Sequence, residues 1–389
     1  MPFKLIKKSK KSQARLGKLK TAHGEIATPF FMPIATKGAV KNLTTTELKK
    51  LGSPILLSNT YHLYLAPGLE VIKRAGGLHR FMNWPGLILT DSGGFQIFSL
   101  SKIRKILPGG VEFYSPIDGS KHFLTPKKVL EIQKNIGSDI AMILDVCPPS
   151  TASRKEIERA VAMTTKWAQK SKIENCKLKA CPERGRGIEN LFAIVQGGLH
   201  KDLRLKSLND LVKLDFDGYA IGGLAVGESA KEMYSVLDYL VKAMPSNKPR
   251  YLMGVGKPEN IIEAIKRGVD MFDCVIPTRE ARHGRLYLWF DDLSLRGGRL
   301  RRPTKQSQRL LRFARNDIWY QTINITNAKF KNDFSPINNT NLKSYSKSYL
   351  HHLFKTGEPL AMRLATLNNL DFYLRLLAEI REAIKNNRL

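Results

Sequence analysis

The run LILTDSGGFQ (87–96) decides the fold. Four apolar or β-branched residues, enough for one strand, end on an acid, and Ser-Gly-Gly follows before an aromatic. The same grammar recurs in PILLSN (54–59), IAMILD (140–145), FAIVQ (192–196), YAIGG (219–223), YLMGVG (251–256) and VDMFD (269–273), each turning polar or to glycine at its C-terminal end. None alternates apolar with polar residues, so each reads as a strand covered on both faces. Helical segments lie between some of them. TPKKVLEIQKNIG (125–137) carries a Thr cap, Pro at the first helical position and Gly at the stop, and PENIIEAIKRG (258–268) also ends in glycine. Seven or eight such strand–helix units close a (β/α)8 TIM barrel. Asn59, Asp91, Asp145, Gln196, Gly222, Gly223, Gly254 and Asp273 then stand at equivalent strand ends and converge on one rim, where barrels build active sites.

The chain has 389 residues, 42% of them apolar, which suffices for one large barrel and its core. Its 64 basic and 34 acidic residues give a formal charge of +30. That excess points to a polyanionic partner, RNA or DNA ahead of a membrane surface. No apolar run reaches the roughly 18 residues of a membrane-spanning helix. The basic N-terminus MPFKLIKKSKKSQARLG lacks the apolar core of a signal peptide. Cys147, Cys176, Cys181 and Cys274 show no framework spacing, and a cytoplasmic location is expected.

The rim residues suit a flat, polar heterocycle. After Asp91, Ser92-Gly93-Gly94 lets backbone N–H groups approach a ligand closely, and Phe95 offers an aromatic face. Asp145, Gln196 and Gly223 add edge donors and acceptors. Two carboxylates flanking a sugar carbon suit glycosidic chemistry, one attacking the anomeric centre and the other moving protons. In FDCVIPTREARHG (272–284) both Asp273 and Cys274 are nucleophile types. Strand alternation sends them to opposite faces, and Cys274 has no sequence-adjacent base, so the acid is favoured. Arg279 and Arg282 downstream suit phosphate contacts that position a nucleic-acid backbone.

Nine strings now accumulate in order: TPFFMPIAT, LSNTYHL, LTDSGGFQ, GSDIAMILDVC, VQGG, GGLAVGE, YLMGVGKPEN, MFDCVIPTR and YLHHL. Together they resemble the bacterial tRNA-guanine transglycosylases of the queuosine pathway, across about residues 20–290 and 323–385. The resemblance implies a modified (β/α)8 barrel with a small zinc-bearing subdomain near the C-terminus. It implies Asp273 as the nucleophile on C1′ of the wobble guanosine, through a covalent intermediate, and Asp91 as the general acid/base. Asp91, Ser92, Gly93, Gly94, Phe95, Asp145, Gln196 and Gly223 would bind the base, with Phe95 and Met253 sandwiching it. Gly254, Val255, Gly256, Lys257, Pro258, Glu259 and Asn260, with Thr278, Arg279, Glu280, Ala281 and Arg282, would contact RNA. The partners implied are tRNAs with GUN anticodons (for aspartate, asparagine, histidine and tyrosine), guanine and preQ1, and a second copy of the chain. GGLAVGE with the nearby Cys147 is similar to bacterial members, which favours preQ1 over queuine.

Two departures stand out. Family members carry C-x-C-x-x-C before the YLHHL-like segment and a later His, a four-ligand zinc site. Here SPINNTNLKSYSKSYLHHL (335–353) has no cysteine, and TLNN (366–369) puts Asn368 where the His belongs. His351 and His352 are adjacent and cannot share a face, so no structural zinc is expected, no cofactor is needed for the chemistry, and any homodimer would be weakened. Residues 291–322 hold eight basic and three acidic residues and read as a basic loop insertion, inert to weakly assisting. The expected division is a catalytic barrel over 1–290, the insertion over 291–322 and a C-terminal subdomain with closing helices over 323–389. Two other readings remain. One is a catalytically weakened tRNA-binding relative. The other is a barrel glycoside hydrolase, opposed by only four tryptophans and by the +30 charge.

Overall fold

The computed structural model describes residues 2–100, 104–180, 187–290 and 319–389. Eight parallel strands form its centre: β1 (Phe30–Met32), β2 (Ile55–Ser58), β3 (Leu87–Thr90), β4 (Ile140–Met142), β5 (Asn190–Val195), β6 (Gly218–Ile221), β7 (Arg250–Leu252) and β8 (Met271–Asp273). Each pairs with its neighbours in chain order, and β8 pairs with β1. A parallel bridge between Ile34 and Leu57 joins β1 to β2 and completes the ring. Nearly every strand residue is buried, as the unalternated apolar runs require.

The helix signals hold locally. Thr125 accepts the Lys128 N–H at 3.0 Å, Pro126 opens the helix Pro126–Ile136, and Gly137 closes it at φ +81°. A three-stranded antiparallel sheet (Arg104–Leu107, Gly110–Tyr114, Lys121–Leu124) intervenes between β3 and that helix, an excursion the apolar runs did not announce. A second antiparallel sheet (Phe3–Lys8, Arg15–Thr21, Gly24–Thr28) precedes β1. Here Arg15 is buried in an ion pair with Asp270, Nε to Oδ1 at 2.9 Å.

After β8 the helix Ile276–Arg282 leads to a hairpin, Arg285–Trp289 with Tyr320–Asn324, then to helices Lys347–Thr356 and Pro359–Lys385. The last helix belongs to two cores. Its first turns (Ala361, Leu364, Ala365) pack with Leu286, Ile325, Leu342 and Leu350, while Tyr373, Leu377, Ile380 and Ile384 join the barrel core. The Tyr373 ring lies 5.0 Å from that of Phe31 on β1. Most of the basic stretch 291–322 lies outside the described residues. Among the described residues no helix is long and apolar enough to cross a membrane.

Candidate active site

The rim is built outward from β3. Asp91, the first residue past the strand, is buried, and its Oδ1 accepts the backbone N–H groups of Thr60 at 3.0 Å and Gly93 at 3.2 Å. Its Oδ2 accepts from Asn59 Nδ2. Asn59 also accepts the His62 N–H at 3.0 Å and so caps the helix Thr60–Leu65. One amide thus starts the helix after β2 and holds the acid after β3. Burial raises the Asp91 pKa to about 7; the like charge of Asp273 adds to this, and the three donors oppose it.

Ser92-Gly93-Gly94 ties this acid to the next. Ser92 Oγ donates to Asp145 Oδ1 at 3.0 Å and accepts the Gly94 N–H at 3.1 Å. A Cβ on Gly94 would fall 2.8 Å from the Asp145 carbonyl oxygen, so only glycine lets the loop close on that residue. Asp145 lies three residues beyond β4, not on it: the strand ends at Met142 and no regular element follows before Asp145. Burial raises its pKa to about 6, opposed by Gln196 and Ser92.

Gln196 Nε2 donates to Asp145 Oδ2 at 2.8 Å, while Gln196 Oε1 is buried with no donor among the described residues. Gly223, at φ +61°, faces that oxygen, and a Cβ there would come within 2.6 Å of it. The pocket therefore has an acceptor that a ligand N–H could satisfy, beside a wall that tolerates no side chain. Arg204 holds the wall. Fully buried, it donates from Nη1 to the carbonyls of Val195 at 3.0 Å and Gly222 at 2.7 Å, and from Nη2 to Gly223 at 3.1 Å. Burial lowers its pKa to about 10, so it stays cationic at neutral pH.

Asp273 closes the ring at the end of β8. Its Oδ1 accepts the Tyr251 hydroxyl at 2.6 Å and the Gly254 N–H at 2.8 Å, whereas Oδ2 has no donor among the described residues. Burial of the carboxyl raises its pKa, and these two bonds pull it back. Cys274 turns into the barrel core, against the place a Gly256 side chain would fill. Burial pushes the Cys274 and Cys147 thiols up to about 12, so neither is a thiolate at neutral pH. Phe95 is half exposed at the rim and Met253 half-buried, packed on the barrel core.

Of the RNA-contact candidates, Gly254, Lys257, Glu259 and Arg279 are exposed, while Val255, Gly256, Pro258, Thr278 and Ala281 are buried. The half-buried Arg282 donates to the Thr278 carbonyl at 3.0 Å, Asn260 accepts from Tyr234 at 2.7 Å, and Glu280 pairs with Arg285 at 3.3 Å. Tyr320 donates to Glu259 at 2.7 Å and Tyr373 to the Gly256 carbonyl at 2.5 Å, bracing this loop from the C-terminal part. Sequence reading missed Tyr251, Arg204 and the dual use of Asn59. No local signal marked them, since each acts on groups that other parts of the chain bring.

Where the family's zinc would sit, the chain places amides. Asn338 Nδ2 donates to Asn368 Oδ1 and Asn341 Oδ1, both at 3.0 Å, and Asn338 Oδ1 accepts the N–H groups of Thr340 and Leu342 at 3.1 and 3.0 Å. Asn368 Nδ2 donates to the Tyr287 carbonyl at 2.9 Å; Asn369 accepts the Tyr287 N–H at 3.0 Å and donates to the carbonyls of Pro277 and Arg285. Structural zinc takes thiolate and imidazole. These amides offer neither and are committed to one another, so the residues here do not fit that ion. His351 is buried, with Nδ1 2.8 Å from the Ile325 carbonyl, and His352 is exposed, so the two do turn to different surroundings.

A closed parallel barrel whose strand ends carry Asp91, Asp145, Gln196 and Asp273 defines the class of (β/α)8 enzymes. The comparisons narrow the class. The family model described as queuine tRNA-ribosyltransferase matches residues 9–389. A queuine tRNA-ribosyltransferase of Caldanaerobacter subterraneus subsp. tengcongensis is 49% identical over 391 residues, covering 100% of this chain and 94% of the relative. Relatives of the same name from Thermoanaerobacter sp. (48% identical, 100% and 94% covered) and Fusobacterium nucleatum subsp. nucleatum (46%, 100% and 95%) match equally broadly. The chain belongs to the queuine tRNA-ribosyltransferase family.

Proposed function

We propose that this chain exchanges guanine at the wobble position of GUN-anticodon tRNAs for preQ1, as a cytoplasmic tRNA-guanine transglycosylase. The observation that supports the reading is that Asp91, held just past β3 by three donors, and Asp273, at the end of β8, both stand at C-terminal strand ends of one parallel barrel, with the hydrogen-bonded Asp145 and Gln196.

In the first half-reaction an Asp273 carboxylate oxygen bonds to C1′ as the C1′–N9 bond breaks, and protonated Asp91 gives its proton to the departing guanine. In the second, ionised Asp91 takes a proton from preQ1, whose nitrogen attacks C1′ and expels Asp273. A pKa of about 7 suits a group that must both give and take a proton near neutrality. Asp145 and Gln196 hold the base edge, with Phe95 and Met253 against its faces. Lys257, Arg279 and Arg282 face the RNA backbone, and Cys147 beside GGLAVGE favours preQ1. A homodimer, if formed, is weak. No structural zinc is required.

The test is incorporation of labelled guanine into unmodified tRNA, together with trapping of a covalent protein–RNA adduct. Asp91→Asn should lose about 10²–10⁴ in rate, and Asp273→Asn should trap no adduct. An adduct that survives Asp273→Asn refutes the assignment. Full tRNA binding by the parent with no exchange would favour the weakened, binding-only relative.

A further inference from the structure

We propose that His23, His79 and Asp139 form a binding site for a divalent transition-metal ion at the end of the barrel opposite the catalytic rim. His23 lies in the turn between the strands Arg15–Thr21 and Gly24–Thr28, His79 in the helix Leu78–Met82, and Asp139 directly before β4. The three segments are remote in sequence, yet their ligand atoms all lie within 4.8 Å of one another. His23 Nδ1 is 2.8 Å from Asp139 Oδ1, and His79 Nε2 is 3.2 Å from Oδ2. Metal–ligand bonds of about 2.0–2.2 Å put neighbouring ligand atoms roughly 3–3.5 Å apart around one ion, so atoms now up to 4.8 Å apart would draw in as the rings turn.

The carboxylate is already oriented. Its Oδ1 accepts the His23 N–H at 3.1 Å and its Oδ2 the Ile88 N–H at 2.9 Å, the kind of support that fixes a ligating acid. Without an ion, both imidazoles must turn a donor toward the same carboxylate while stacked with centroids 3.7 Å apart. An ion would take a lone pair from each instead. Entry requires the stacked rings to fan apart. His23, 42% exposed on its turn, can move, whereas His79 at 12% and Asp139 at 0% form the fixed wall. Two imidazoles and one carboxylate select zinc, cobalt, nickel or copper(II) over magnesium or calcium. A bound ion would clamp the N-terminal sheet to the base of the barrel, independently of the exchange chemistry.

The test uses the full chain stripped with a chelator, then titrated with Zn²⁺ by calorimetry and with Co²⁺ by visible absorption. One ion per chain is expected, with a Zn²⁺-dependent rise in melting temperature. His23→Ala should weaken binding by more than about tenfold and abolish that rise, without changing guanine exchange. His79→Ala provides a second measure if the first variant folds poorly. No binding by the parent, or equal binding in both variants, overturns the proposal; the second result would also locate the ion elsewhere, the C-terminal segment included.

Discussion

Replacing Tyr251 with Phe tests the nucleophile without touching it. Tyr251 is fully buried on β7, and its hydroxyl supplies one of the two hydrogen bonds that Asp273 receives among the described residues, both on Oδ1. Its own pKa stands well above that of a free phenol, from burial and then from the Asp273 charge, so it donates throughout the working pH range. A hydrogen bond to an ionised acceptor is worth about 1.5–3 kcal/mol, and it stabilises only the carboxylate form. Losing it reduces the ionised fraction of Asp273 in the free enzyme by roughly ten- to a hundredfold wherever that acid is already partly protonated. The sign follows from the cause: burial raises the Asp273 pKa, the Tyr251 bond lowers it, and the variant returns it upward. In single-turnover assays the acid limb of kcat/KM for tRNA should therefore move to higher pH. The loss should be confined to the acid side of the profile and stop short of complete, because the Gly254 N–H remains. The KM for the incoming base should not change, since the Asp145–Gln196 pocket lies on other strands. An unmoved acid limb, with kcat/KM close to that of the parent, would mean that Asp273 is not the ionising nucleophile.

Four further outcomes follow from the same geometry. Protonated Asp91 serves the departing guanine, so kcat/KM for tRNA should fall as pH rises through about 7; a pH profile of Asp91→Asn should lack that limb. Gly223→Ala places a Cβ 2.6 Å from Gln196 Oε1 at a φ of +61°, and steady-state kinetics should show the KM for guanine rising by roughly five- to a hundredfold with tRNA affinity held, as expected for roughly 1–3 kcal/mol of strain. Asn368→Ala strands the Tyr287 carbonyl and one Asn338 donor, so denaturant unfolding should show a loss of about 1–3 kcal/mol. A chelator should leave the parent's C-terminal core unaltered, and sensitivity there would count against an amide-built subdomain.

Much of this was legible in the sequence because a parallel barrel writes itself twice, in runs with no alternation and in what ends them. LILTD and VDMFD announced both the strands and the acids at their tips, and the structure brings those tips to one rim. β1 escaped because its three residues lie between Pro29 and Pro33, which read as breakers until neighbouring β8 and the Ile34–Leu57 bridge supply partners. IAMILD hid a different lesson: strand pairing stops at Met142, yet Asp145 three residues on is held by Ser92 and Gln196. Residues that act through partners left no mark. Tyr251 looks like one more core aromatic, and Arg204 in KDLRLKSLNDLV looks like a solvated cation. Each gains meaning only when a carboxylate or a row of strand-end carbonyls arrives from another part of the chain. The amides of SPINNTNL are the extreme case. As a string they read as a polar, low-complexity loop, yet Asn338 and Asn368 are 2% exposed and bonded to each other across 30 positions. Burying such groups unpaired would be costly, so their burial requires the partnership. The hairpin and the first half of the last helix are held by that partnership together with their own apolar cluster. Since the second half of the same helix packs on β1, loosening these amides should be felt at the rim through Tyr373 and the Gly256 carbonyl it holds.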